Sequence, residues 1–197
     1  DVGSGKTIVA LISALYAVKC GYQVAIVAPT EILAEQHFNN AKRFFDGFNI
    51  NVAFLSGSVK GAERKEREKD IESGKTDVVI GTHSVFSKTV KFRNLSFVVI
   101  DEQHKFGVAQ KYDLQEKGAG VDTLTLTATP IPRSVLMLLY DELQLSEIDK
   151  SHKTKVKTFL VPDYKKDGMF LYVRDEAKKG NQAFIVCPKI CDSEGVE

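Results

Sequence analysis

Short apolar runs, each bounded by turn residues, alternate along this chain with segments of helical spacing. The runs cover 23–28, 52–55, 77–81 and 97–101, and the segment 123–127 predicts a further strand. A continuous apolar run of this length is typical of a strand buried on both faces, as in a parallel sheet. Strands that alternate with helices predict an α/β fold, a three-layer sandwich with a mostly parallel sheet between layers of helices.

The intervening segments predict helices at 8–18, 31–45, 60–72 and 165–179. The first is apolar enough to be buried, and Thr30 is placed to cap the second. The third carries many charges of both signs, which indicates a helix with a solvated face. These helices supply the connections that parallel strands require.

The chain changes character near residue 149, where a polar, basic stretch begins. We predict a first domain at 1–149, a linker at 150–158, and the truncated beginning of a second, similar domain at 159–197. Apolar segments at 159–161 and 183–187, on either side of the last helix, predict the strands of a new β-α-β run. A length of 197 residues fits one domain and part of another.

Composition excludes several classes of protein. Hydrophobic residues make up 43% and charged residues 27%, as in ordinary soluble domains, and no apolar run is long enough to cross a membrane. A net charge of +1 leaves nucleic-acid binding to local patches. The cysteines, Cys20, Cys187 and Cys191, lack disulfide-framework or zinc spacing, so we expect buried free thiols in a reducing compartment.

The chain begins with Asp-Val-Gly-Ser-Gly-Lys-Thr, which matches the second half of a phosphate-binding P-loop. Glycines let backbone N–H groups face phosphate oxygens, and a lysine adds a mobile positive charge. A threonine hydroxyl in the last position ligates Mg²⁺. The nucleotide-binding residues predicted by this motif are Gly3, Ser4, Gly5, Lys6 and Thr7. The first P-loop glycine would precede Asp1, so we expect the natural chain to extend further.

A second motif, Asp-Glu-Gln-His, ends the apolar run at 97–101. In nucleotide hydrolases an acidic residue in this place holds Mg²⁺, and a second carboxylate can activate the attacking water. Asp101 is therefore the predicted metal residue, together with Thr7, and Glu102 the predicted general base. Other polar and small residues also follow strand ends, where ligands of parallel sheets bind.

These motifs resemble superfamily 2 helicases with a DExH box, and among them the RecG family of bacterial branched-DNA translocases. The resemblance rests on Ala-Pro-Thr-Glu-Ile-Leu-Ala-Glu-Gln-His at 28–37, Asp-Glu-Gln-His-Lys-Phe-Gly-Val at 101–108 and Thr-Ala-Thr-Pro-Ile-Pro-Arg at 127–133. It covers nearly the whole chain. It implies a RecA-like P-loop NTPase fold, ATP and Mg²⁺ as cofactors, and an ATP-hydrolysing DNA helicase that remodels forks and Holliday junctions.

The resemblance also implies roles for individual residues. Lys6, Asp101 and Glu102 are the implied catalytic residues. Residues that couple nucleotide state to DNA grip are implied to be His104, Thr127, Thr129 and Arg133. Residues facing DNA are implied to be Pro29, Thr30, Ser56, Gly57, Gly81, Thr82 and His83. Small donors suit contact with phosphates rather than bases.

Several of these residues also have a purely structural interpretation. Thr30 can serve only as a helix cap, and Thr127 can be an ordinary strand residue. His83 can be a residue that has no partner, at the end of a strand. We interpret His37, on an amphipathic helix, as structural, and His152, in the basic linker, as solvated.

The implied partner is branched or forked duplex DNA, with no membrane, no small-molecule substrate besides ATP and water, and a monomeric state. The implied location is the bacterial cytoplasm, at the nucleoid. The first P-loop glycine, an adenine-recognition segment and an arginine finger are absent. Without the strand that should carry the P-loop, residues 1–197 alone are expected to fold poorly, and without the arginine finger they are expected to hydrolyse no ATP.

Alternative functions stay open from the sequence. The transcription-repair coupling factor Mfd is similar at 1–7 and 127–133, although it more often has Glu where Gln103 stands. A P-loop phosphotransferase would leave the strand-end motifs at Pro29 and Thr127 unexplained. A non-catalytic nucleotide- or DNA-binding module would have no use for Glu102.

Overall fold

A computed structural model describes residues 4–102, 120–127, 144–148 and 157–186. The chain divides into two compact units, Asp1–Lys150 and Ser151–Glu197. The sheet and the predicted motifs lie in the first unit.

The first unit is built on a five-stranded sheet. Its strands are β1 (Gln23–Val27), β2 (Val52–Leu55), β3 (Val78–Gly81), β4 (Leu95–Asp101) and β5 (Asp122–Leu126). Their order is β2-β3-β1-β4-β5, and every neighbouring pair is parallel. The predicted α/β class is confirmed, and each predicted strand lies within two residues of an observed one at either end.

Helices cover both faces of this sheet. Helix α1 (Lys6–Lys19) and helix α2 (Glu31–Phe44) pack on one face, where Ala10, Leu11 and Ala41 join one apolar core. Helix α3 (Gly61–Glu72) contributes Ile71 to a separate core on the other face. Alternate strand residues point to opposite faces, so β1, β3 and β4 contribute side chains to both cores.

The solvated character predicted for α3 is confirmed. Ile71 is the only residue of this helix that is buried. Ion pairs one turn apart join Arg64 to Glu68 at 2.9 Å and Arg67 to Glu63. Such pairs on a helix typically add only about 0.3–0.5 kcal/mol each. The helix is held to the sheet by the burial of Ile71 and by Arg67, which donates to the Phe54 carbonyl of β2.

A buried glutamine fastens the amino-terminal edge of the sheet. The Gln23 amide nitrogen donates to the carbonyl oxygens of Ile71 at 2.9 Å and Thr76 at 2.7 Å. Its amide oxygen accepts from the backbone N–H groups of Arg93 at 2.8 Å and Asn94 at 3.0 Å. One side chain therefore links the ends of the segments that lead into β3 and β4.

The second unit contains helix α4 (Lys166–Lys178), which confirms the helix predicted at 165–179. The strands predicted at 159–161 and 183–187 are wrong for residues 159–161 and 183–186, which have no regular structure, and residue 187 lies outside the described part. Phe159 and Phe184 are exposed. A strand needs a neighbour for its backbone hydrogen bonds, and none is found among the described residues of this unit.

The predicted burial of the cysteines is wrong for Cys20, which is exposed just after α1. The chain emerges there into a turn at Gly21, which places the thiol in solvent. Cys187 and Cys191 lie outside the described residues. No helix in the described ranges has the length and apolar character to cross a membrane.

Candidate nucleotide site and DNA-facing edge

The carboxyl ends of the strands bring the predicted site residues to one edge of the sheet. Val27 pairs with Gly81 and with Ile100, and Asp101 pairs with Leu126, so these strands end at nearly the same level. Parallel strands place their carboxyl ends on one side. Residues that follow β1 to β5 therefore share the edge that the sequence predicted.

The P-loop turn enters α1 through a glycine in the left-handed region. Gly5 has φ 89° and stands at the N-cap of α1. Its carbonyl accepts from the N–H groups of Ile8 at 3.1 Å and Val9 at 3.3 Å. Since L side chains rarely adopt this φ, the turn requires glycine.

Lys6 and Thr7 occupy the first turn of α1, which contains no acidic residue. The Lys6 ammonium group donates to the Ser4 hydroxyl at 3.3 Å. The positive end of the helix dipole and the lysine together favour an anion at this position. Gly3, the remaining predicted nucleotide-binding residue, lies outside the described residues.

The acidic pair stands where β4 leaves the sheet. Asp101 is the last residue of β4, and Glu102 adopts φ 52°, in the left-handed region although it is not glycine. The Glu102 N–H donates to the Leu126 carbonyl at 2.9 Å, which holds this bend against β5. A non-glycine residue in that region costs about 1–2 kcal/mol, so the bend is imposed by its surroundings.

His37 reaches Asp101 from α2. The His37 Nε2 and the Asp101 Oδ2 are 2.8 Å apart, and the two side chains are only 11% and 16% exposed. Sequence reasoning treated His37 as structural and missed this contact, which joins residues 64 apart in the chain. The only local signal was the spacing that puts His37 on the buried side of α2 with Ala34 and Ala41.

The structure shows Thr30 acting as a helix cap. Its hydroxyl oxygen accepts from the Leu33 N–H at 3.4 Å, at the start of α2. Thr30 is exposed and Pro29 is half-buried. The capping interpretation is therefore confirmed, and a DNA contact by the same residue stays a prediction.

Ser56 has a buried hydroxyl, which donates to the Glu31 carboxylate at 2.7 Å. Ser58 also donates to this carboxylate, and the two hydroxyl oxygens are 2.7 Å apart. These hydrogen bonds, from Ser56 first and then Ser58, lower the pKa of Glu31. The Ser56 hydroxyl is thus already engaged by the first residue of α2, while the neighbouring Gly57 is exposed.

Gly81 has a structural reason to be glycine. A β-carbon built at this residue would lie 1.7 Å from the carbonyl oxygen of Leu55 on the neighbouring strand. Thr82, next in sequence, is buried, and its hydroxyl lies 3.2 Å from that of Ser84. Of the predicted Gly-Thr-His trio, only His83 is exposed, at the start of a short 3-10 helix (His83–Phe86).

The coupling residues are described only in part. Thr127 is half-buried and directly follows β5, beside the edge that carries Asp101. His104, Thr129 and Arg133 lie outside the described residues. Their roles therefore stay predictions.

The donor atoms at this edge suit Mg²⁺ better than other common metals. Mg²⁺ is usually held by one or two protein oxygen ligands, together with substrate phosphates and water. The Asp101 carboxylate and the Thr7 hydroxyl are oxygen donors of this kind. Within the described ranges, no group of three His, Cys, Asp or Glu side chains could form a zinc or calcium cage.

Comparison with known proteins gives this arrangement a context. The chain is 42% identical over 199 residues to the ATP-dependent DNA helicase RecG of Borreliella burgdorferi, covering 100% of the chain and 29% of that relative. It is 44% identical over 196 residues to the RecG helicase of Thermotoga maritima, covering 98% of the chain and 25% of that relative. The chain thus spans less than a third of the length of these curated relatives.

A solved structure, that of RecG bound to a three-way DNA junction, is similar to the chain with a TM-score of 0.77 and 42% identity. The match covers 96% of this chain and 26% of that one. The predicted resemblance to the RecG family and the predicted RecA-like helicase fold are both confirmed.

A family model provides the remaining comparison. The model of the DEAD/DEAH box helicases matches residues 1–138, which include the P-loop, the acidic pair and all five strands. The chain belongs to the DEAD/DEAH box helicase family.

Proposed function

We propose that this chain forms part of the motor of an ATP-dependent DNA helicase that remodels branched DNA. The observation that carries the proposal is the shared carboxyl edge of the parallel strands, which carries the Asp101–Glu102 bend and the other strand-end residues. Helix α1, which begins at the Gly5 turn, packs on β1 and β4 of the same sheet. The similarity to RecG over the whole chain supports the branched-DNA substrate.

The P-loop residues bind the nucleotide in this proposal. Backbone N–H groups around Ser4 and Gly5 face the phosphates, and Lys6 adds positive charge to the β- and γ-phosphates. Gly3, from the same sequence motif, is proposed to contribute its backbone N–H as well. Thr7 and Asp101 would hold Mg²⁺, which would supply positive charge beside the phosphates of the nucleotide.

Glu102 acts as the general base. Its bend turns the chain out of β4, next to the residue that holds the metal. A carboxylate in that place can accept a proton from the attacking water without occupying a metal position.

DNA is gripped through its phosphates at the neighbouring strand ends. Three residues of the predicted DNA-facing set are exposed and can contact DNA directly: Thr30, Gly57 and His83. Pro29, Ser56, Gly81 and Thr82 shape the backbone behind them. In the proposed cycle, DNA binding is coupled to the bound nucleotide by four residues: His104, Thr127, Thr129 and Arg133.

The domain limits and cellular setting belong to the same proposal. We infer a first motor domain at 1–149, a linker at 150–158 and the start of a second motor domain at 159–197. The division into the units Asp1–Lys150 and Ser151–Glu197 supports the first limit. The protein would act as a monomer on nucleoid DNA in the bacterial cytoplasm, with no membrane partner.

The test measures ATP hydrolysis by the full-length gene product that contains these residues. Three-way junction DNA should stimulate hydrolysis more than linear duplex of equal length. Lys6→Ala should weaken ATP binding, whereas Lys65→Ala, at an exposed position on α3, serves as the matched control.

Stimulation by RNA polymerase instead of junctions would indicate the coupling factor, and phosphate transfer to a small acceptor would indicate a phosphotransferase. Nucleotide binding without hydrolysis would indicate a non-catalytic module.

A further inference from the structure

A histidine outside the P-loop and the acidic box contacts the acidic residue that defines the metal position. His37 lies on α2, and its Nε2 is 2.8 Å from the Asp101 Oδ2. Both side chains are mostly buried, at 11% and 16% exposed. Water therefore has little access to replace the contact.

The chemistry of the pair fixes the direction of this hydrogen bond. An ionised carboxylate only accepts, so the His37 Nε2 carries the proton and donates it to Asp101. The bond engages Oδ2 and leaves Oδ1 for another partner. A hydrogen bond to one oxygen restricts rotation of the carboxylate, as the partners of metal-binding carboxylates commonly do.

Helix α2 ties this contact to the DNA-facing edge. The helix begins after Thr30 and carries Glu31, which holds Ser56 and Ser58. His37 lies six residues after Glu31, about 9 Å further along the helix at 1.5 Å per residue. One rigid element therefore contacts both the strand-end loop after β2 and the acidic end of β4.

We propose that His37 is a positioning residue that orients the Asp101 carboxylate for the Mg²⁺–nucleotide complex. This inference rests on the proposed function, since it requires that Asp101 holds Mg²⁺. His37 itself touches neither the metal nor the nucleotide. It acts by keeping Oδ1 of Asp101 turned toward the position where the metal is held.

The test measures Mn²⁺ affinity, as a paramagnetic substitute for Mg²⁺, by electron paramagnetic resonance in the presence of a non-hydrolysable ATP analogue. The full-length gene product is compared with His37→Leu, which removes the donor, and His37→Gln, which keeps an N–H donor. We expect His37→Leu to weaken Mn²⁺ binding about 10–100-fold, and His37→Gln to recover most of it. Asn39→Ala, at an exposed position on the same helix, should leave the affinity unchanged.

A second arm separates positioning from general support of the fold. Thermal melts verify that the variants are folded, and His37→Phe provides another side chain without a donor if the leucine variant fails to fold. In an Asp101→Asn background, His37→Leu should cause little further loss of Mn²⁺ affinity. Equal losses with leucine and glutamine, or the same loss with and without the Asp101 carboxylate, would overturn the proposal.

The result can be told apart from failure of the proposed function. Wild-type protein that binds Mn²⁺ and nucleotide but shows no junction-stimulated hydrolysis would contradict the helicase proposal and leave the His37 measurement intact. Unchanged Mn²⁺ affinity in an active His37→Leu protein would contradict the inference alone.

Discussion

Replacement of Gln23 by leucine should destabilise the amino-terminal edge of the sheet. The change removes the two hydrogen bonds that the side chain donates and the two that it accepts. The Ile71 carbonyl also accepts from Gly74, at 3.1 Å, so it keeps one partner. The Thr76 carbonyl and the N–H groups of Arg93 and Asn94 each lose the Gln23 amide.

The expected loss of stability comes from these three backbone groups. A buried polar group left unsatisfied costs about 1–3 kcal/mol. Arg93 and Asn94 are themselves exposed, so water can reach part of their backbone, and we expect a total near the lower limit, about 3 kcal/mol. Since about 1.4 kcal/mol is a factor of ten, local opening should become roughly 100-fold more frequent.

Amide hydrogen exchange in the full-length gene product measures this opening locally. Peptides that cover β1 and the start of β4 should lose about 100-fold of protection in Gln23→Leu. The same substitution at the exposed Gln36 of α2 is the matched control and should leave protection unchanged. Protection within threefold of wild type in Gln23→Leu would refute the hydrogen-bond reasoning, because the loss of these bonds would then cost far less than about 3 kcal/mol.

Four further predictions follow from the same structure. Glu102→Gln should retain ATP binding in a nucleotide titration but lose turnover by about 10²–10⁴-fold, as loss of a general base does; near-normal hydrolysis would contradict the role. Gly81→Ala should lower the melting temperature, because its β-carbon would overlap the Leu55 carbonyl, and an unchanged melt would show that the strands can separate freely. The pKa of Glu31 is lowered, so its hydrogen bonds stabilise the fold above the ordinary glutamate pKa and are lost as pH falls through the lowered value; a ¹³C NMR titration, assigned with Glu31→Gln, should show a midpoint below the ordinary one. Junction binding should change little with base sequence at fixed shape and fall with salt at a log–log slope of about −0.9 per phosphate contacted; strong dependence on base sequence would argue for contacts to base edges.

The sheet could be predicted because its signal is local. Strand β1 is buried at every residue, and its last four residues, Val24–Val27, are all apolar, so the apolar run marks the buried strand. The P-loop turn is local too, since Gly5, Lys6 and Thr7 are adjacent. Neither inference required knowledge of distant neighbours.

Contacts between distant residues could not be predicted in the same way. His37 and Asp101 meet only because α2 packs against the sheet, and the sequence of α2 alone does not show which buried side it turns to the acidic pair. Gly81 was interpreted as a DNA-facing residue, whereas the close carbonyl of Leu55 supplies a separate steric reason for glycine. At 159–161 and 183–186 the local apolar signal predicted strands that the structure does not contain. An apolar run forms a strand only beside a partner strand, and the run itself does not show whether that partner is present.

The strand order also has a consequence for synthesis on the ribosome. β1 is central, yet both of its neighbours, β3 and β4, are encoded after it. At about 5–20 residues per second, the roughly 50 residues between β1 and β3 delay pairing by several seconds. During that interval the five residues Gln23–Val27, all buried in the finished sheet, have no sheet partner. The nascent chain thus exposes a mostly apolar segment, of the kind that chaperones bind, before the centre of the sheet can form.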